Sequence, residues 1–251
     1  MSTNSTQKRI ALVTGATGGL GTDMCKKLSD DGYIVVGNYR SQKKADEWQA
    51  KCKADGYDFH MFQGNVDDFD SVGKMIAEIE VNVGPVDILV NNAGITRDGV
   101  FRKMTKEAWD DVIASNLTSV FNCTRHVING MIDRGFGRII NISSVNGQRG
   151  QVGQVNYSAA KAGMHGFTKS LAMEVATKGV TVNTISPGYI GTDMVRAIPQ
   201  EIIDSKILPG IPMGRLGGTE EVAHLVSFLA SEGASFITGS NYAINGGQHV
   251  Y

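Results

Sequence analysis

The amino-acid sequence predicts one α/β domain, a doubly wound parallel sheet of about seven strands with helices on both faces. Three observations predict it. Short apolar, β-branched runs alternate with longer stretches of helical spacing. Several of the runs (ALV, IVV, ILV, RII) are apolar without interruption, as strands covered on both faces must be. The first run leads straight into a glycine-rich turn and the start of a helix.

The strand runs fall at 10–13, 34–36, 59–62, 86–90, 138–142, 180–185 and 242–244. Helical spacing marks 72–83, 109–134, 157–178 and 220–230. No repeat, charge block or Pro/Ser-rich linker divides the chain, so residues 1–251 read as a single domain. The 157–178 stretch carries small or apolar residues on nearly every side, including Ala159, Ala160, Ala162, Gly163, Met164, Gly166 and Phe167. Such a helix predicts cover from its own sheet and from another subunit, hence a homo-oligomer. Between 187 and 212 the periodicity lapses and four of the five prolines gather, which predicts a substrate lid.

Composition excludes several classes of protein. A formal charge of −1 argues against a nucleic-acid or anionic-membrane binder, both of which need a positive excess. With 41% hydrophobic and 20% charged residues the chain is globular rather than disordered. The three cysteines, Cys25, Cys52 and Cys123, form no CxxC and have no histidine cluster beside them, so neither a disulfide framework nor a metal site is expected. Residues 1–9 read as a loose polar tail without a secretory signal, and no apolar run is long enough to span a membrane, so a cytoplasmic protein is expected.

The turn Thr14-Gly15-Ala16-Thr17-Gly18-Gly19-Leu20-Gly21 follows the first strand and precedes the helical spacing of Met24, Cys25 and Leu28. Free backbone amides and the positive end of a helix dipole meet there, the ingredients of a pyrophosphate site in a Rossmann-type fold. An acidic residue at the end of the second strand would select NAD by binding its ribose 2′-hydroxyl. This strand ends Gly37-Asn38-Tyr39-Arg40-Ser41, with no carboxylate until Asp46. Arg40 could pair with a 2′-phosphate, which favours NADP/NADPH; a solvated loop arginine is the plainer alternative.

Tyr157 and Lys161 stand one helical turn apart, and an ammonium beside a phenol lowers the phenol's pKa toward neutrality. That spacing alone proves little, because Tyr39 and Lys43 share it. The distinction lies in Ser144, which precedes Tyr157 at the end of a predicted strand, where open α/β sheets hold their ligands. With these features in place, the chain from Arg9 to its C-terminus resembles the short-chain dehydrogenase/reductase family. TGATGGLG at 14–21 resembles the family's cofactor turn, Asn91-Asn92-Ala93-Gly94 its NNAG segment, and Asn116, Ser144, Tyr157 and Lys161 its catalytic tetrad. Pro187-Gly188 with Ile190 and Thr192 is similar to the segment that holds the nicotinamide carboxamide, and Gly64-Asn65-Val66 to the adenine contact.

The resemblance implies that Tyr157 donates a proton to a ketone, that Ser144 hydrogen-bonds the carbonyl oxygen, that Lys161 lowers the Tyr157 pKa and binds ribose, and that Asn116 holds a water resupplying the proton. The implied reaction is ketone to secondary alcohol, or its reverse. The run from Asn141 to Tyr157, the segments Gly94 to Asp98 and Phe101 to Thr105, and the ending Asn245-Gly-Gly-Gln-His249 look like the acetoacetyl-CoA reductases within that family. On that resemblance the substrate is an acyl-CoA thioester, the assembly a tetramer, and Asp98, Gln151, Gln154 and Tyr189 are substrate-side candidates. Amides can donate to a thioester or keto oxygen without carrying charge. Two alternatives stay open: a 3-oxoacyl-[acyl-carrier-protein] reductase, and a binding protein that senses NADP without turnover. The five histidines show no ligand spacing, His165 reads as a packed or interface residue, and Trp48 and Trp109 read as packing residues.

Overall fold

The computed structural model describes residues 8–250, so the tail expected over residues 1–9 lies outside the described residues except for Lys8 and Arg9. In chain order the elements are β1 (Ile10–Val13), α1 (Gly19–Asp30), β2 (Ile34–Tyr39), α2 (Gln42–Ala54), β3 (His60–Gln63), α3 (Phe69–Asn82), β4 (Val86–Asn91), α4 (Lys106–Ile113), α5 (Ser119–Arg134), β5 (Gly137–Ile142), α6 (Asn146–Arg149), α7 (Val155–Val175), β6 (Val180–Pro187), α8 (Asp193–Arg196), α9 (Gln200–Ile202), α10 (Thr219–Ala230) and β7 (Asn241–Ile244). The strands form one seven-stranded sheet in the order β3-β2-β1-β4-β5-β6-β7, and every neighbouring pair is parallel. The chain therefore starts in the middle of the sheet, winds outward to β3, and returns across β1 to wind the other way. Between β1 and β4 the winding reverses, and the crevice that this opens lies beyond the C-terminal strand ends.

Both sheet faces are buried, and strand residues alternate between them. Ala11, Val13, Ile88, Val90, Ile140 and Ile142 pack with α1, α2 and α10 on one side. Ile10, Leu12, Leu89 and Ile139 pack with α3, α5 and α7 on the other. This alternation explains why the strands read as unbroken apolar runs: each residue meets helices whichever way it points.

The structure departs from the sequence reading in three places. The helix expected over 109–134 is two helices, α4 and α5, joined by a π-helical turn, Ala114–Thr118, that carries Asn116. The Asn116 amide explains the break, since its Nδ2 donates to Val112 O one turn back and to Ile95 O across the cleft, both at 2.9 Å. Strand β2 runs on to Tyr39 because Asn38, buried and polar, finds partners there: its Nδ2 donates to Gly64 O at 3.0 Å. The irregular 187–212 segment folds into short helical turns around an apolar cluster of its own, Ile203, Ile207 and Ile211.

A buried polar row crosses the sheet just beneath the crevice. Asn91, Asn141 and Thr184 are in register on β4, β5 and β6. Asn91 Nδ2 donates to Asn141 Oδ1 at 2.8 Å, Asn141 Nδ2 to Thr168 Oγ1 of α7 at 2.9 Å, and Thr184 Oγ1 to the same Thr168 hydroxyl at 2.7 Å. A row with all its members paired fixes α7 against the strand ends. Asn141→Ala is expected to cost Asn91 Nδ2 and Thr168 Oγ1 one partner each, leaving them Thr124 Oγ1 at 3.3 Å and Thr184 Oγ1 at 2.7 Å. At about 0.5–1.5 kcal/mol for each of the two bonds lost, urea unfolding should show a loss of about 1–3 kcal/mol. A loss below about 0.5 kcal/mol, the size of an ordinary surface substitution, would contradict this role.

Candidate active site

At the winding reversal the strand ends, the glycine turn and the 187–195 segment enclose a cavity of about 600 Å³. One wall begins at the turn. No side chain caps α1 at Gly18, so the first-turn amides stay open to an anion. Gly15 has φ 62°, and a Cβ there would lie 3.0 Å from the Ala93 backbone, so this corner requires glycine. Thr14 ties the turn to the 91–94 segment, its hydroxyl accepting from the amides of Asn92 and Ala93, each at 3.0 Å. Asn92 returns the tie, its Nδ2 donating to Thr14 O at 3.0 Å and Gly15 O at 3.2 Å. Asn92 thus braces the turn from behind.

The second strand ends at the far side of the cavity. Arg40 is exposed on the wall beside Ser41 and Lys44, and it has no carboxylate partner among the described residues. Asp46 is held elsewhere: Tyr39 Oη donates to Gln42 Oε1 at 2.6 Å, and Gln42 Nε2 to Asp46 Oδ1 at 2.7 Å. Gly64, Asn65 and Val66 line the same end, next to Asp67, whose Oδ2 accepts from the Ser115 hydroxyl at 2.9 Å.

Ser144, Tyr157, Lys161 and Asn116 meet at the opposite end. Strand β5 stops at Ile142, which puts Ser144 at the mouth of the sheet, and α7 presents Tyr157 and Lys161 one turn apart. The Ser144 hydroxyl accepts from the Asn146 amide at 3.1 Å and shares the cavity wall with the Tyr157 phenol. Lys161 is 4% exposed; its Nζ donates to Ile142 O at 2.7 Å and lies 5.5 Å from the Tyr157 ring centre. Asn116 Oδ1 is buried and has no hydrogen-bond partner among the described residues. A Cβ on Gly94 would overlap that oxygen and come within 3.5 Å of Lys161 Nζ, so Gly94 keeps the asparagine and the lysine close.

Burial sets the protonation of this cluster. It brings the Lys161 ammonium down to about 7. It also raises the Tyr157 phenol above its ordinary value, against a lowering by the Ser144 hydroxyl and with a smaller raising by the Asp98 carboxylate. The expectation that Lys161 would lower the Tyr157 pKa is therefore not met in this structure. Desolvation acts on both groups, and it weakens the charge that was to stabilise the phenolate. The arrangement suits a phenol that keeps its proton at neutral pH and can pass it to an oxygen bound beside Ser144.

Every residue expected to touch a dinucleotide lies on this one cavity wall, as do the four expected to carry the reaction. Tyr189 does too. Asp98, Gln151 and Gln154 do not line it. Gln154 Nε2 donates to both Asp98 carboxylate oxygens at 3.0 Å, and Asn146 Nδ2 donates to Gln154 Oε1 at 2.9 Å. The Gln154 amide is thus bonded by its neighbours at both ends, one link removed from Ser144, while Gln151 bonds Arg149. Lys44, Asp67 and Ser115 were absent from the sequence reading. The basic cluster Arg40 to Lys44 was a usable signal for the first; nothing local marks the other two. Trp48 stacks on Phe59 at 5.4 Å, and His165 is packed beneath the site, both as expected. Among the described residues there is no group of three or more His, Cys, Asp or Glu able to hold a metal, and no helix long and apolar enough to cross a membrane.

The short chain dehydrogenase family model matches residues 9–202. The chain is 56% identical over 244 residues to the acetoacetyl-CoA reductase of Cupriavidus necator, covering 97% of this chain and 99% of that one. It is 58% identical over 241 residues to nodulation protein G of Azospirillum brasilense, covering 96% and 98%. A 3-oxoacyl-[acyl-carrier-protein] reductase of Haemophilus influenzae is 44% identical over 244 residues, covering 97% and 99%.

The unfolded chain holds the Lys161 proton up to the usual 10.5, the folded chain only to about 7. Between those values the unfolded state binds more protons, so this group makes stability rise with pH across that window. Lys161→Met removes the effect. In the ligand-free protein, the unfolding free energy of the variant minus that of the parent should fall steadily as pH rises from about 7 toward 10. A difference that stays flat in urea titrations over that range would show that the ammonium is not buried.

Proposed function

The chain belongs to the short-chain dehydrogenase family, and from that membership we propose that it is an NADPH-dependent reductase of 3-oxoacyl thioesters. The preferred reaction is acetoacetyl-CoA to (R)-3-hydroxybutyryl-CoA, in polyhydroxybutyrate synthesis. The observation that carries this reading is the convergence of Ser144, Tyr157 and Lys161 on the wall shared with the glycine turn. Identity of 56% to a reductase of that name over nearly the whole chain supports the thioester substrate.

A bound nicotinamide nucleotide supplies the hydride. The chain's residues do the rest. Ser144 and Tyr157 hydrogen-bond the 3-oxo oxygen, where negative charge grows, and Tyr157 gives up its proton to that oxygen. The raised phenol pKa supports this direction, since an acid must still hold its proton at neutral pH. Lys161 binds nicotinamide ribose, and Asn116, with its unpartnered buried oxygen, holds a water for proton resupply. Arg40, joined by Lys44, receives the 2′-phosphate. Residues 187–212 act as the lid over the acyl group, with Tyr189 facing it. The exposed face of α7, with Ala159, Ala162, Gly166 and Met173, supports a homo-oligomer of tetramer type. A carrier-protein thioester is the second reading, favoured by the 44% relative.

Tyr157→Phe is expected to abolish reduction of acetoacetyl-CoA while NADPH binding, followed by its fluorescence, stays unchanged. Undiminished turnover would remove Tyr157 from the reaction. Acetoacetyl-CoA should be reduced faster than the same acyl group on carrier protein; the reverse order would favour the second reading. Arg40→Ala should raise the Kd for NADPH about 10- to 100-fold, the equivalent of one lost charge-assisted pair, and leave NADH binding alone. Equal effects on both nucleotides would end the role given to Arg40.

A further inference from the structure

Behind the reacting residues lies a second buried cluster whose protons can be counted. The Ser143 hydroxyl donates its one proton to the backbone carbonyl of Lys161 at 2.8 Å. The Ser186 hydroxyl donates its one proton to Asn241 Oδ1 at 2.7 Å. Both serine oxygens are also close to a single atom, His165 Nε2, at 3.0 Å and 3.3 Å. Neither serine has a proton left to give it. The nitrogen must therefore be the donor, which assigns His165 the Nε2–H tautomer with one N–H shared between two hydroxyl oxygens.

These four contacts tie the ends of β5 and β6 and the start of β7 to α7. Ser143 adjoins Ser144, Ser186 adjoins Pro187 and Gly188 at the end of β6, and the carbonyl that Ser143 holds is that of Lys161 itself. We propose that His165 is a positioning residue for carbonyl reduction: its shared Nε2–H keeps the ends of β5 and β6 in register with α7, so that Ser144 and Lys161 stay aligned. The proposal rests on the ketone-reduction reading above. His165 itself is too far along α7 to touch the substrate, and acts through Ser143 and Ser186. Burial, and then the charge of Lys169 four residues on in α7, lower the imidazole pKa and keep the ring neutral. The polar row of Asn141, Thr168 and Thr184 lies one layer deeper and carries no titratable group.

The test compares His165→Leu and His165→Gln in the full-length protein with acetoacetyl-CoA and NADPH. Leucine removes the donor, and glutamine returns an N–H at nearly the same reach. The leucine variant is expected to lose about 10- to 100-fold in kcat, the cost of a small misplacement of reacting groups. Its KM for the thioester and its Kd for NADPH should be unchanged, and glutamine should restore most of kcat. Wild-type kcat in the leucine variant, or a glutamine variant as impaired as the leucine one, overturns the proposal. Long-range spectra of the 15N-histidine-labelled wild-type protein, assigned with His165→Gln, give an independent answer even if the leucine variant does not fold. A proton on Nε2 is expected, and a proton on Nδ1 overturns the assignment. If the wild-type protein reduces no 3-oxoacyl thioester, the reaction assigned above fails, whereas the tautomer result still decides the network.

Discussion

The site depends on a lysine held almost out of water. Among the described residues Lys161 Nζ has one hydrogen-bond acceptor, the carbonyl of Ile142 at 2.7 Å, and only 4% of the residue is exposed. Burying an ammonium is costly unless its surroundings are polar or its charge is reduced, and here burial draws its pKa down to about 7. The same exclusion of water raises Tyr157. A cleft built this way does not present a ready-made phenolate; it presents a phenol with its proton still attached, next to a serine hydroxyl that can share the same oxygen.

That arrangement is held from below and from the side. The row through Asn91, Asn141, Thr168 and Thr184 pins α7 to three neighbouring strand ends, and Ser143 grips the Lys161 carbonyl directly. From the side, Thr14, Asn38 and Asn92 bind the glycine turn to the ends of β2, β3 and β4. Small buried polar side chains are doing in this fold what apolar packing does elsewhere: they set distances at strand ends, where two faces of the sheet give way to an opening. Because each such group is costly when unpaired, a partner moved by a substitution is felt at the site.

Much of this was legible in the sequence, and the reason is local. Strands buried on both faces write themselves as apolar runs, and the runs at 10–13, 86–90 and 180–185 fall on β1, β4 and β6. The glycine turn and the Tyr157/Lys161 spacing are likewise contained within a few residues, so their chemistry could be read without a fold. What escaped depends on partners distant in the chain. The π-helical turn at Asn116 follows from a bond to Ile95, and Asp67 enters the cavity wall beside Ser115. Gln154 and Asp98 looked like free polar groups for a substrate because nothing in either segment announces that they bond each other. The direction of the Tyr157 shift was missed for a related reason: spacing reports the neighbouring charge but not the depth at which both groups sit.

The central claim is that one oxygen of the substrate is held jointly by the Ser144 and Tyr157 hydroxyls. A crystal structure with NADP⁺ and (R)-3-hydroxybutyryl-CoA measures it most directly. The 3-oxygen should lie within hydrogen-bond distance, about 2.5–3.0 Å, of both hydroxyls. A thioester seated in the same cavity with that oxygen turned toward the 187–195 segment, out of reach of Tyr157, would contradict the account.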